Sequence, residues 1–334
     1  MKISRSLSLL AGLLLPLAAQ SAPAQTVPEL KIGIIGLDTS HVISVAEMLN
    51  DPAAKDHIPG GRVVCAYKGG SPDVELSRTR IEGFTAQMKD KYGVALVDSI
   101  AEVVARSDAI MIMSVDGRVH LRQAREVFPS GKPVFLDKPL AANLHEAVAI
   151  VRLAEQTHTP FFSASPYRFT AGLKKLLEAP IGGIRGAVSY GNGTSEAHMP
   201  PLFFEGIHPV EALFTVLGSG CESVNCVHTA DTEVATGLWS GGRTGVVYGL
   251  RTHKAPVGTT VFGQNGSMTD TTYRLEGFAP LVRQIITFFQ TRESPVRPEA
   301  TLEIIAFMEA ADQSRQQHGA AVSVTQLLAS EGIK

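Results

Sequence analysis

Five short polar runs carry the side chains able to do chemistry in this chain, and each directly follows a stretch that reads as a strand or opens a helix. Gly36-Leu-Asp38-Thr39-Ser40-His41 follows an apolar run containing Gly33. Ser114-Val-Asp116-Gly-Arg-Val-His120 follows another, and Asp137-Lys138-Pro139 a third. Tyr167-Arg168 comes next, and Glu205-Gly-Ile-His208-Pro-Val-Glu211 opens a helical pattern. An imidazole titrates near neutrality and suits general acid or base work, while a lysine beside it can steer a hydroxyl group. Carboxylates and imidazoles together, here Asp38, His41, His120 and His208, are also the ligands a divalent metal takes. Each has a plain structural use as well: a lysine before proline ends a strand in solvent, and a histidine before a helix caps it.

The elements that must position these residues are legible from periodicity. Strand-like runs at Lys31–Ile35, Arg62–Tyr67, Ala95–Val97, Ala109–Met113, Val134–Leu136 and Phe161–Phe162 alternate with helical periods. Those periods are Val42–Leu49, Leu76–Tyr92, Ile100–Ala105, Val119–Phe128 and Leu144–Gln156. Alternation of this kind predicts parallel pairing through right-handed crossovers, an α/β doubly wound, Rossmann-like sheet over residues 30–163. Ligands of such sheets lie beyond the carboxyl ends of the strands, where the polar runs fall. From residue 164 to 334 the texture changes to Gly-, Thr- and Val-rich strands at Gly186–Tyr190, Glu233–Trp239, Arg243–Arg251 and Gly258–Phe262. Helices at Pro209–Leu217, Pro280–Thr291 and Pro298–Gln317 complete an expected α+β domain with a mainly antiparallel open sheet. Trp239 and Tyr248 fall on its strands, as candidates for a subunit interface. The glycine-rich run from Gly191 to His198, with Glu196, reads as a lid.

The strand–turn–helix at Lys31–His41 stands where a dinucleotide fingerprint would. Its first glycine is Gly36, but Asp38 occupies the position where backbone approaches a pyrophosphate, and His41 the third glycine. A carboxylate there opposes a phosphate pair unless something screens it. The second strand ends Ala66-Tyr67-Lys68, with no acid for an adenosine ribose, and Lys68 instead suits a 2′-phosphate.

Phe135-Leu-Asp137-Lys138-Pro139 resembles the Glu-Lys-Pro motif of the Gfo/Idh/MocA family, with aspartate for glutamate. The Ser114–His120 loop is similar to that family's strand-end loop, and Gly206-Ile-His208-Pro-Val-Glu211 to its Gly-x-His-x-x-Asp segment. The resemblance implies an NAD- or NADP-dependent oxidoreductase moving a hydride from a sugar, polyol or glycoside hydroxyl. It implies that Lys138 positions the hydroxyl and His208 serves as acid or base, with Asp137 and Glu211 as neighbouring catalytic acids. Gly33, Gly36, Asp38, Thr39, Ser40, His41, Lys68, Asp116 and His120 fall at cofactor positions, and Tyr167, Arg168 and Glu205 at substrate positions. The family's aspartate four residues before the histidine is Phe204 here, with Glu205 beside it. The family also implies homo-oligomers built through the C-terminal sheet. The departures support a second expectation: a carbohydrate hydrolase or lyase in the same crevice, cofactor-independent or assisted by a divalent metal. A glycan-binding protein without turnover is the third.

With 334 residues, 44% of them hydrophobic, the chain can bury two ordinary cores. A formal net charge of −2 argues against a nucleic-acid partner. Lys2 and Arg5, the apolar run Leu7–Ala19 and Ala22-Pro-Ala24 make a secretory signal peptide, 1–24, cleaved after Ala24. The run is too short to span a membrane, so no anchor is expected and the product is exported, to a periplasm. Of three cysteines, Cys65 reads as core; Cys221 and Cys226 form either a bridge or two free thiols.

Overall fold

The structure is a computed structural model that describes residues 29–251 and 256–333. The expected signal peptide and its cleavage point lie outside the described residues.

The chain first winds a six-stranded parallel sheet. In order it runs β1 (Leu30–Ile35), α1 (His41–Asn50), β2 (Gly61–Tyr67), α2 (Glu75–Asp90), β3 (Ala95–Val97), α3 (Ile100–Arg106), β4 (Ala109–Ile112), α4 (His120–Val127), β5 (Val134–Leu136), α5 (Leu144–Thr157) and β6 (Phe161–Ser163). Its strand order is β3-β2-β1-β4-β5-β6, the doubly wound arrangement with its switch point between β1 and β4. β1 and β4 are almost wholly buried, as strands covered on both faces must be. Gly33 belongs to this packing. A Cβ there would lie 2.4 Å from Val103 Cγ1 and 2.2 Å from Ser107 Oγ, so the glycine lets α3 close on β1.

The second layer continues with α6 (Ala171–Leu177), β7 (Ile184–Asn192), α7 (Ile207–Leu217), β8 (Cys221–His228), β9 (Thr232–Trp239), β10 (Arg243–Leu250), β11 (Gly258–Gly263), β12 (Ser267–Asp270), α8 (Ala279–Thr291), α9 (Pro298–Gln316), β13 (Val322–Ser323) and α10 (Val324–Ser330). Seven strands pair in the order β12-β11-β7-β10-β9-β8-β13, antiparallel except for the parallel β7–β10 pair. β8, unanticipated from the sequence, carries a register shift between Cys221 and Ser223 that breaks its inside–outside alternation. One face of the sheet packs on α7 and α9. There Trp239 is fully buried beside Phe214 and Phe307, its indole N–H donating to Gly218 O at 2.9 Å. Trp239 is therefore core rather than interface. The other face presents Leu238, Tyr248 and Phe262, and Tyr248 sits between Tyr190 and Val234 on neighbouring strands. All three cysteines are buried free thiols, so Cys221 and Cys226 are not bridged.

α8 departs from the expected division of the chain at residue 164. Its apolar face (Leu281, Val282, Ile285, Phe288) enters the core formed by α1 and one face of the parallel sheet. Phe288 meets Phe162 of β6 edge-on at 5.0 Å. Packing thus returns a late helix to the first unit, which local periodicity does not encode. Phe288→Ala is expected to cost about 3–5 kcal/mol. Urea denaturation measures this; a loss under about 1 kcal/mol would mean that the helix is not part of that core.

Candidate active site

Four strands of the parallel sheet deliver their following loops to one edge: β1 the Gly36 turn, β4 the Ser114–Val119 loop, β5 Asp137-Lys138, and β6 Ser165–Arg168. Gly36 has φ +90°, and a Cβ on it would stand 2.6 Å from the Ser114 backbone nitrogen, so only glycine permits this turn. Asp38 does not point into the crevice. It is fully buried, with Oδ1 accepting the Val115 N–H at 3.1 Å and Oδ2 unpartnered among the described residues. Burial pushes its carboxyl above the usual range, which disfavours the charge expected to repel a pyrophosphate. Thr39 is buried and Ser40 exposed at the start of α1.

His41 reaches across to Asp137, with Nδ1 and Oδ2 2.5 Å apart, and its ring packs on Phe278 at 4.3 Å. Burial alone would raise Asp137; the adjoining His41 imidazole and Lys138 outweigh it and hold the carboxyl below its ordinary value. Two of the expected cofactor contacts face elsewhere. Asp116 is spent on Arg118, whose Nε lies 2.9 Å from Oδ1; burial pushes Asp116 up, but hydrogen bonds from Arg118 and Ser71 hold it low. His120 is fully buried between Leu140 O at 3.2 Å and Ser114 O at 2.9 Å, splicing two loops. The metal set Asp38, His41, His120 and His208 is therefore not assembled. Among the described residues no cluster of three or more such side chains could hold an ion. Each member is instead turned toward a different backbone or side-chain partner.

Lys138, buried at the end of β5, donates from Nζ to Phe204 O at 3.2 Å and lies 3.7 Å from Glu205 Oε1. Glu205 Oε2 is 3.7 Å from His208 Nε2, so this carboxylate stands between the lysine and the imidazole. It does so from a π-helical turn, Leu202–Gly206, that runs directly into α7. The acid of this cluster therefore stands three residues before the histidine, while Phe204, four residues before it, is buried. His208 Nδ1 lies 2.7 Å from Ser165 Oγ. Ser165, absent from the sequence-level candidates, had no signal beyond following the last strand. Glu211 and Arg168 pair with each other at 2.6 Å, and Glu211 also accepts the Ser165 N–H at 2.7 Å. Burial pushes Glu211 above its usual range, with Arg168 pulling the other way. These two are committed to each other and to the Ser165 backbone.

His41, Pro166, Tyr167, His208, Gly277 and Phe278 line a pocket of about 200 Å3. A second, of about 230 Å3, lies at the end of β2 between Lys68, Gly69, Gly70, Ser71, Ser77 and Arg78. His41 of the first pocket ends the Gly36 turn, and a Cβ on Gly69 of the second would lie 3.3 Å from Gly36 Cα. Lys68 pairs with Glu82 of α2. The 191–198 loop reaches this edge too: His198 lies 3.0 Å from Glu196 and 3.7 Å from Asp73, which also pairs with Arg118.

Fold and site define a two-unit protein with a Rossmann-type sheet and an acid–base crevice at its carboxyl edge. Residues 30–165 match the Gfo/Idh/MocA model, described as an oxidoreductase family with an NAD-binding Rossmann fold, which places this region in that family. No curated protein matches the chain. Among solved structures it is similar to scyllo-inositol dehydrogenase from Lactobacillus casei with bound NAD(H) and scyllo-inositol, at 16% identity and TM-score 0.72, covering 89% of this chain and 100% of that one. Myo-inositol 2-dehydrogenase from Lactobacillus plantarum gives 17% and 0.72, covering 89% and 99%. GenD2 from gentamicin A biosynthesis, in complex with NAD, gives 14% and 0.72, covering 93% and 99%. At these identities the likeness establishes a common fold across both units.

Because Asp137 is held below its unfolded value, it contributes stability above about pH 3.9, lost as pH falls through the folded value. Asp137→Asn is expected to lower stability by about 1–3 kcal/mol near pH 7. The gap should narrow near pH 3, as followed by urea midpoints. A gap that stays constant would show that the charge is not the source.

Proposed function

We propose that the protein is a nicotinamide dinucleotide-dependent oxidoreductase acting on a hydroxyl group of a sugar, polyol or glycoside. One observation carries the reading: Lys138, Glu205 and His208 meet beside a small pocket at the sheet edge where the dinucleotide fingerprint turn stands. The residues present fit such a cofactor. Asp38, the side chain most at odds with a pyrophosphate, is turned inward with its charge disfavoured, and both pockets adjoin the turn. The Gly36–His41 turn would hold the pyrophosphate at the start of α1, and Lys68, Ser71, Ser77 and Arg78 the adenosine end. When bound, a nicotinamide supplies a two-electron hydride acceptor.

The chain's own residues handle orientation and the proton. Lys138, tied to Phe204 O and Glu205, presents its ammonium to the reacting hydroxyl; His208, braced by Ser165, faces the same point. Tyr167 packs its ring 5.1 Å from that of His208 and narrows the pocket to a small polyol or sugar ring. The signal-like N-terminus supports export with cleavage after Ala24, into a periplasm. The large apolar side chains Leu238, Tyr248 and Phe262, exposed on one face of the open sheet, support association with a second copy of the chain.

Native mass spectrometry of the secreted protein, followed by thermal melts with NAD and NADP, tests these readings together. The expected results are a mass beginning at Gln25, a homo-oligomer, and a rise in melting temperature with one dinucleotide. Lys138→Ala is expected to keep that shift and lower polyol oxidation by about 10²–10⁴-fold. No shift with either dinucleotide would overturn the oxidoreductase reading; a monomer at micromolar concentration would overturn the interface.

A further inference from the structure

The direction of the hydrogen bonds behind His208 divides the acid–base work in this site, granted that the site oxidises a hydroxyl group. A serine hydroxyl offers one hydrogen and two acceptor lone pairs. Ser165 Oγ accepts the Tyr167 N–H at 3.3 Å and lies 2.7 Å from His208 Nδ1. Ser165 is fully buried, where an unused hydroxyl hydrogen is costly, and the Nδ1 lone pair is within reach to accept it. With Nδ1 accepting, the neutral ring carries its single hydrogen on Nε2. Nε2 is the nitrogen 3.7 Å from Glu205 Oε2, and Glu205 Oε1 is 3.7 Å from Lys138 Nζ. Donation then runs one way, from backbone N–H to serine to imidazole, which leaves the Nε2–H on the side where the Glu205 carboxylate stands 3.7 Å away. Titratable groups around the ring include Glu205, Tyr167 and, lining the same pocket, His41, with the Glu211–Arg168 pair behind Ser165.

We infer that His208 acts as a fixed, neutral hydrogen-bond donor to the reacting oxygen, and that Glu205 is the group that takes the proton. An imidazole with hydrogen on Nε2 has no lone pair on the pocket side, so it polarises oxygen but cannot accept there. In the oxidation, the substrate C–H bond breaks with its electron pair passing to the nicotinamide dinucleotide, which is reduced. The O–H bond breaks with its proton passing to the Glu205 carboxylate, and its electron pair becomes the second bond of the carbonyl. Glu205 is 27% exposed and returns the proton to solvent. Lys138, paired to the same carboxylate, balances the charge before transfer.

The test is the tautomer of His208 in 15N-labelled protein, read from long-range imidazole 1H–15N correlations near neutral pH. His208→Gln identifies the signal among ten histidines by its loss. The expected pattern is a protonated Nε2 and a hydrogen-bonded, unprotonated Nδ1, with the Nδ1 resonance moving toward a free value in Ser165→Ala. A hydrogen on Nδ1 in the wild type would overturn the inference. In steady-state kinetics with dinucleotide and polyol, Glu205→Gln should lower kcat by about 10²–10⁴-fold. His208→Gln, which keeps an N–H donor, should lower kcat only ~10-fold. Equal loss in the two variants would also overturn it. The spectroscopic result stands without turnover, so a chain that oxidises no polyol refutes the proposed function and leaves the wiring of His208 decided separately.

Discussion

The buried Glu211 carboxylate is the pin on which the site depends. It sits on α7 of the second unit, yet both of its oxygens are committed to the segment leaving β6 of the first: Oε2 to the Ser165 N–H and Oε1 to Arg168 Nε. A buried acid in this position must be paired, and removing one partner of such a pair typically costs about 3–5 kcal/mol. The pairing holds the 165–168 turn against α7, and the turn sets Ser165 under His208 and Tyr167 against its ring. The geometry of the pocket is thus a consequence of how two separately folded sheets are joined. The joint is polar, directional and water-excluded, so it specifies one relative placement where apolar packing alone would allow several.

The glycine turn after β1 shows how a Rossmann edge absorbs two departures. Asp38 is removed from the crevice by a hydrogen bond to the loop after β4 and by burial that disfavours its charge. His41 is removed from the turn by pairing with Asp137. The two substitutions therefore act together on the same edge: one ties β1 to β4, the other α1 to β5. The first-unit loops are cross-linked by side chains where a chain with three glycines would rely on backbone contact alone. His120, bridging Ser114 O and Leu140 O, belongs to the same bracing.

The second unit divides its two sheet faces by chemistry. Trp239 of β9 packs inward against Phe214 of α7 and Phe307 of α9, while Leu238 of β9, Tyr248 of β10 and Phe262 of β11 face outward. Strand alternation places Trp239 and Leu238 on opposite faces, and a one-residue slip of β9 would exchange them. β10, parallel to β7 and antiparallel to β9, anchors that register across the middle of the sheet.

The sequence by itself determined the alternation of strands and helices, and with it the parallel sheet and the edge where polar runs collect. Those features rest on local periodicity and on the handedness of crossovers, both properties of short segments. It also marked Lys138 and His208, because their motifs lie at strand and helix ends. Only tertiary structure decided which polar side chains face the crevice. Asp38, Asp116, His120, Arg168 and Glu211 share the residue types of active sites, yet each is paired elsewhere: Asp116 with nearby Arg118, Arg168 with Glu211 43 positions on, and Asp38 with a backbone N–H 77 positions away. Tertiary packing likewise decided that α8 returns to the first core, that Trp239 faces inward, and that a π-helical turn brings Glu205 between Lys138 and His208. A side chain's direction at the end of a strand depends on what packs against it, and those neighbours come from distant parts of the chain.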